Sequence, residues 1–111
     1  MYLPLASSIE FVEYIADQLA TLGDIQYKKM FGEYGLYHDE KFFACICDNQ
    51  LFVKITDEGY SVLKNPETAP PYNGAKPYFL IADIDNKELL QALTIATCNA
   101  LPVPKPRKKK L

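Results

Sequence analysis

The side chains best suited to chemistry are three cysteines and a single histidine. Cys45 and Cys47 are separated by one residue in the run KFFACIC, so in a β-strand both thiols lie on the same face. A zinc site needs four ligands, which usually come from paired turns. The other soft ligands, His38 and Cys98, belong to different predicted elements. We therefore predict no metal ligands and no cofactor, and expect the thiols to pack as small apolar groups.

Catalytic pairs are also disfavoured by the spacing of the candidate groups. His38 lies at one end of the predicted sheet, whereas Cys45 and Cys47 lie toward the other, and each strand residue adds about 3.3 Å of separation. Gly32 and Gly35 do not form a phosphate-binding loop, because no Gly-Lys-Ser/Thr sequence follows them. We expect a bend at Gly32 and close packing at Gly35 instead. The prediction is a chain without catalytic residues, and hence not an enzyme.

Length and charge predict a small acidic domain with a basic end. The 111 residues suit one domain, which we place at residues 1–104. Five of the twelve basic residues follow Pro104, which leaves seven lysines against fourteen acidic residues and a net charge of −7 in the remainder. Residues 105–111 are predicted to be a disordered tail. Its basic residues are Lys105, Arg107, Lys108, Lys109 and Lys110.

The acidic body and the odd number of cysteines limit the expected partners and compartment. Phosphate binding needs a clustered positive surface, so we expect nucleic acid to bind at most indirectly or through the basic tail. Three cysteines fit reduced thiols better than a disulfide framework. No apolar run approaches the roughly 20 residues of a membrane span. The sequence therefore predicts a cytoplasmic protein without membrane contact.

The periodicity of apolar residues predicts an α+β fold. Ser7 and Glu10 form a capping box before a helix at about residues 8–22, which ends at Gly23. Asp85 is predicted to cap the last helix. The other predicted elements are strands at 25–30, 33–38, 41–47, 50–55 and 78–82, a short helix at about 57–63, an irregular loop at 65–75 and the helix at 85–99. This order, α-β4-α-β-α, indicates a two-layer sandwich with an antiparallel sheet of about five strands.

Both faces of the predicted sheet are largely apolar. Asp39-Glu40 and Asp48-Asn49 suit two-residue turns, which pair Tyr37 with Phe42 and Ile46 with Leu51. This register predicts two faces. One carries Gly35, Tyr37, Phe42, Ala44, Ile46, Leu51, Val53 and Ile55, and the other Tyr34, Leu36, Phe43, Cys45, Cys47, Phe52 and Lys54. The first face is expected to pack against the helices, and the second needs another cover.

The second predicted face gives two alternative interpretations. Exposure of four large apolar side chains to water would lower the stability of the domain substantially, since burying each one contributes roughly 1.5–3 kcal/mol. We expect either a protein partner or a second copy of the chain to bind there, or the proline-rich loop and an end helix to fold over it. The predicted partner-binding residues are Tyr34, Leu36, Phe43 and Phe52.

The run MFGEYGLY resembles the signature of the TfoX N-terminal domain family. The motif residues are Met30, Phe31, Gly32, Gly35 and Tyr37. The resemblance continues through Phe42-Phe43-Ala44, Leu51-Phe52-Val53-Lys54, Lys76-Pro77-Tyr78-Phe79, the closing helix and the Pro/Lys-rich end. It implies an α+β fold with a small antiparallel sheet. It also implies a role in bacterial competence for DNA uptake, as the N-terminal domain of a transcriptional co-activator, without established catalytic residues.

Two functions therefore remain as predictions. The first is a noncatalytic regulatory domain that contacts another protein. The second is a small-molecule-binding domain or small enzyme with a site under the 65–75 loop, which Tyr72, Lys76 and Tyr78 would line. A flat apolar sheet face favours the first, and a deep pocket that contains a polar group of strongly shifted pKa favours the second.

Overall fold

Among the residues that the structure describes, six antiparallel strands form one sheet, and the helices pack on one of its faces. The computed structural model describes residues 7–30 and 32–103. The helices are α1 (Ile9–Gln18), α2 (Asp57–Val62) and α3 (Lys87–Ala100), with a 3₁₀ turn at Ala20–Leu22. The strands are β1 (Ile25–Met30), β2 (Glu33–His38), β3 (Lys41–Cys47), β4 (Gln50–Val53), β5 (Glu67–Ala69) and β6 (Tyr78–Ile81). The spatial order β1-β2-β3-β4-β6-β5 confirms the predicted α+β two-layer fold.

The main core lies between the helices and the sheet. Each helix contributes apolar residues to it, as its 3.6-residue periodicity requires. The buried core residues are Val12, Ile15, Leu19, Tyr34, Leu36, Phe43, Ala44, Ile46, Leu51, Val53, Leu63, Phe79, Ile81, Leu90, Leu93 and Cys98. In the parts of the chain that the structure describes, no helix is long and apolar enough to cross a membrane.

Both predicted hairpin turns are confirmed. Asp39 and Glu40 have φ of 50° and 69°, and Asp48 and Asn49 have φ of 55° and 54°. Two consecutive residues with positive φ are the requirement of the type I′ turn, whose twist matches that of the flanking strands. These turns fix the predicted pairs, Tyr37 with Phe42 and Ile46 with Leu51.

A β-bulge at Phe43 makes the predicted division of the faces wrong. Tyr37 pairs with Phe42, but the next pair along is Leu36 with Ala44, so Phe43 has no partner on β2. The bulge turns Phe43 and Ala44 to the same side, and both are buried in the main core. Successive side chains of a strand point to opposite faces of the sheet. One extra residue in β3 therefore moves the side chains on one side of the bulge to the face opposite the predicted one. Burial of the Phe43 ring, worth roughly 1.5–3 kcal/mol, compensates for the interrupted ladder.

The four residues predicted to share a partner-binding face therefore do not share one. Tyr34, Leu36 and Phe43 lie in the main core, with exposed fractions of 7%, 0% and 1%. Phe52 lies on the opposite side of the sheet and is 3% exposed. A protein contact through these four side chains as one surface is incompatible with this register.

Three local predictions differ from the structure. The first helix is capped by Ser8, whose hydroxyl accepts from the Phe11 amide, and its α-helical part ends at Gln18. The last helix is capped by Asn86 in the place of Asp85. Part of the predicted loop forms strand β5, which pairs with β6 and raises the strand number to six. The three residues of β5 lie between two prolines, and they form a strand because the edge of β6 supplies their backbone hydrogen-bond partners.

Candidate interaction site

The sheet surface opposite the helices carries a second, smaller apolar cluster. We call this surface the helix-free face, since no residue of its cluster belongs to a helix among the described residues. Cys45, Cys47 and Phe52 are buried at its centre. Met30, Phe42, Ala69, Tyr78 and Leu80 are partly buried around them. The sheet is thus apolar on both sides, although the residues of the second side differ from those predicted.

One end of the helix-free face carries alternating lysines and aromatic rings. Tyr37 and Phe42 pack with ring centroids 5.4 Å apart. The Lys28 ammonium lies 4.9 Å from the Tyr37 centroid, and the Lys54 ammonium lies 4.8 Å from the Phe42 centroid. Such cation–π contacts are worth about 0.5–2 kcal/mol each. We call these four residues the lysine–aromatic band, and it presents positive charge on a protein body whose net charge is negative.

Gly35 has no side chain, which leaves space for the aromatic rings of this face. A Cβ at Gly35 would lie 3.0 Å from Phe42 Cε1, 3.4 Å from Tyr37 Cε1 and 3.4 Å from Met30 Sδ. The three side chains therefore pack over bare backbone, and the predicted close packing at Gly35 is confirmed. Gly32 has a φ of 82°, which suits the predicted bend between β1 and β2.

A half-enclosed cavity of about 450 Å³ opens at the other end of the helix-free face. We call it the sulfur-side cavity; its lining residues are Met30, Glu33, Cys47, Asp48, Pro71 and Tyr72. Pro71 is buried, whereas 55% of Tyr72 is exposed. The proline-rich loop therefore covers part of this face and leaves an opening beside it, whereas the end helix that the same interpretation expected there packs on the opposite side of the sheet.

The two thiols at the centre of the helix-free face are protonated at neutral pH. Burial, with contributions from Cys47 and Glu33, raises the pKa of Cys45 to about 12. Burial and the Glu33 carboxylate raise the pKa of Cys47 as well. A nucleophilic cysteine needs the opposite, a thiolate stabilised by positive neighbours. The geometry therefore offers packed thiols and no activated nucleophile at these positions.

The residues predicted to line one ligand site are divided between two cavities. Tyr72 lines the sulfur-side cavity, whereas Lys76 and Tyr78 line another of about 450 Å³ together with Lys54, Ile55, Pro77 and Leu101. Burial and repulsion from Lys76 lower the pKa of Lys54. Burial, together with Cys45, Tyr72 and Cys47, raises the pKa of Tyr78.

Glu33 joins three segments, a role that the sequence analysis missed. Its carboxylate oxygens accept from the Ser7 amide at 2.9 Å and from the Asp48 amide at 3.0 Å. The Ser7 hydroxyl accepts from the Asn49 amide at 2.9 Å, and Asn49 Oδ1 accepts from the Ser8 amide at 2.9 Å. These bonds tie the start of α1 to the β3–β4 turn. The only signal in the sequence is an acidic residue at the start of an otherwise apolar strand.

The histidine and the third cysteine lie away from the thiol pair. Cys98 is buried in the main core on α3. His38 Nε2 lies 3.2 Å from the Leu22 carbonyl oxygen, beside the 3₁₀ turn. Within residues 7–30 and 32–103, no three histidine, cysteine, aspartate or glutamate side chains converge as a metal site would require. The motif residue Phe31 and the predicted tail at 105–111 are outside the described residues.

A protein-family model described as the TfoX N-terminal domain matches residues 17–99. This chain belongs to the TfoX N-terminal domain family. The match runs from within α1 to within α3, and it confirms the resemblance inferred from the motif. In this TfoX N-terminal domain the motif residues Met30, Gly35 and Tyr37 form the packing of the helix-free face, and Gly32 forms the preceding turn.

Two curated proteins resemble this member of the TfoX N-terminal domain family. The "Uncharacterized 12.7 kDa protein in trpE 5'region" of Spirochaeta aurantia is 39% identical over 107 residues, which cover 96% of this chain and 93% of that protein. "Protein Sxy" of Escherichia coli (strain K12) is 38% identical over 42 residues, which cover 38% of this chain and 20% of that protein. The similarity to the first protein covers nearly the whole length of both chains, and the similarity to the second is confined to a short segment.

Proposed function

We propose that this chain is a noncatalytic regulatory domain that acts by contact with another protein, as a co-activator of genes for DNA uptake. The observation that carries the proposal is membership of the TfoX N-terminal domain family over residues 17–99. For that family the sequence resemblance implies a regulatory role in competence. The protonated thiols and the remote histidine offer no nucleophile–base pair in support of an enzyme.

The lysine–aromatic band is the surface that we propose for the contact. Aromatic side chains at a partly covered apolar surface are typical of protein interfaces. Lys28 is exposed and Lys54 is half-buried. A partner with acidic side chains and an apolar centre would complement this arrangement.

Charge reversal on the band tests the proposal in cells. The experiment compares transcript levels of DNA-uptake genes in the native host without the chain, with it, and with the Lys28→Glu/Lys54→Glu variant at equal protein amounts. Lys64→Glu/Lys87→Glu is the matched control, because it makes the same charge change on exposed lysines elsewhere. We expect the chain to raise the transcripts, the band variant to remove the rise and the control to keep it. Transcripts that do not respond to the chain would contradict the proposed function.

A small-molecule-binding domain is the second candidate, favoured by the sulfur-side cavity. Its volume of about 450 Å³ falls within the range of roughly 300–1,000 Å³ that is usual for ligand sites. Amide chemical shifts measured during a screen of small apolar compounds would test it. Saturable shifts confined to the neighbours of Met30, Cys47 and Tyr72 would support a ligand site. Shifts absent at every compound's solubility limit would count against it.

A further inference from the structure

Lys54 and Lys76 line one open cavity beside the paired ends of β4 and β6. The cavity has a volume of about 450 Å³, and we call it the lysine cavity. Lys54 directly follows β4, and Lys76 lies shortly before β6, which pairs with β4. The other lining residues are Ile55, Pro77, Tyr78 and Leu101. Two segments that are separate in the sequence thus bring two cations to one cavity.

The register of β4 and β6 explains why the two lysines meet. Val53 is the cross-strand partner of Phe79, and continuing this antiparallel register places Lys54 opposite Tyr78. Lys76 comes two residues before Tyr78, and side chains two residues apart in an extended segment point to the same face. Diagonal neighbours of this kind are about 7–8 Å apart, within reach of long side chains. One small anion between them can therefore contact both ammonium groups.

Neither ammonium group has a carboxylate partner in the described part of the chain. The one ion pair found within residues 7–30 and 32–103 joins His38 to Asp39. The described lining of the cavity contains no acidic residue. Burial and repulsion from Lys76 lower the pKa of Lys54, because both disfavour its charged form. A bound anion would compensate for this repulsion, and screening limits the opposing effect of distant carboxylates to about 8 Å.

We propose that the lysine cavity binds a small organic phosphate monoester, whose phosphate group lies between Lys54 and Lys76. A phosphate monoester carries about 1.5–2 negative charges at neutral pH and three acceptor oxygens, which suits two unpaired ammonium groups. The organic part of the ligand would contact the apolar wall of Ile55, Pro77 and Leu101. The volume of the cavity falls within the range of roughly 300–1,000 Å³ that is usual for ligand sites.

This site is independent of the two candidate functions proposed above. The lysine cavity and the sulfur-side cavity share no described lining residue. Lys54 also belongs to the lysine–aromatic band, whereas Lys76 does not. Variants of Lys76 therefore test the phosphate site alone, and its failure would leave the proposed protein contact unaffected.

Titration of the isotope-labelled full chain with phenyl phosphate, followed by amide chemical shifts, tests the site. We expect saturable shifts centred on Lys54, Lys76 and Tyr78. Phenyl sulfate has a similar shape but a single negative charge, and it should bind more weakly on the order of 5-fold. Inorganic phosphate should bind more weakly by at least about 10-fold, since it has no ring to bury against the apolar wall.

Lys76→Met should weaken the binding of phenyl phosphate by about 10-fold or more, because it removes a charged hydrogen-bond donor and keeps the length of the side chain. Lys76→Arg should retain most of the binding, since a guanidinium group also binds phosphate. Lys64→Met is the matched control, because it removes an exposed lysine outside the cavity, and its affinity should equal that of the parent chain.

Lys76 is exposed, so its variants should fold, and circular dichroism checks this directly. Absence of saturable shifts with phenyl phosphate would overturn the proposal. So would undiminished binding by Lys76→Met, shifts centred on another surface, or equal affinities for inorganic phosphate and phenyl phosphate.

Discussion

Gly59 lies in helix α2, where an alanine would normally be stabilising, and the structure predicts the opposite. Alanine exceeds glycine in helix propensity by about 1 kcal/mol. The Cβ that Gly59→Ala adds would, however, lie 2.7 Å from Cε2 and 3.3 Å from Cζ of Phe79. It would also lie 3.1 Å from Oγ1 of Thr56, which caps the helix by accepting from the Gly59 amide. The substitution therefore forces a buried ring or the helix itself to move.

The Phe79 ring has little space into which it can shift. It is fully buried, and the Tyr60 ring packs edge-on against it at 5.0 Å between centroids. Overpacking costs about 1–3 kcal/mol, and a contact as short as 2.7 Å with a fully buried ring places this substitution at about 2–3 kcal/mol, above the propensity gain. We expect Gly59→Ala to lower the free energy of unfolding by about 1–2 kcal/mol. For a domain of this size each kcal/mol lowers the melting temperature by about 4 °C.

Urea unfolding followed by circular dichroism measures this difference directly. Ser61→Ala, at an exposed position in the same helix, is the matched control and should raise stability by a few tenths of a kcal/mol. Phe79→Leu destabilises by itself, but combined with Gly59→Ala it should show a favourable coupling of at least about 0.5 kcal/mol, since the smaller side chain relieves the clash. A Gly59→Ala chain as stable as the parent would refute the steric reasoning.

Three further perturbations have defined outcomes. Thr97 is fully buried and its hydroxyl has no hydrogen-bond partner among the described residues, so Thr97→Val should raise the free energy of unfolding by about 1 kcal/mol in urea; a loss of that size would show an unseen partner. Glu33→Gln places an amide NH₂ toward backbone N–H donors and should lower stability by about 1.5 kcal/mol, whereas exposed Glu67→Gln should change it little. Burial raises the pKa of Cys98 from 9.0 to about 11, so the folded state keeps the thiol protonated where the unfolded state has ionised it. Stability should therefore fall as pH rises from 9 to 11, and Cys98→Ala should show a shallower fall; equal slopes would contradict the assignment.

The sequence by itself determined the elements and their order, apart from strand β5. Turns at Asp39-Glu40 and Asp48-Asn49, the stop at Gly23 and the bend at Gly32 depend on backbone preferences within four residues, so short-range patterns identify them. The family motif was equally readable, since its residues are neighbours in the chain. The caps were misplaced by one residue, because adjacent residues such as Asp85 and Asn86 are both able to cap.

Tertiary structure alone decided which side chains share a face. A single unpaired residue, Phe43, exchanges the two faces of β3, and its position depends on how well that ring packs beneath the helices rather than on local propensity. The same holds for β5, which needs the edge of β6, and for Glu33, whose partners are 26 and 15 residues away. Local sequence patterns cannot predict such contacts, because the contacts stabilise the chain only after residues that are distant in sequence have come together.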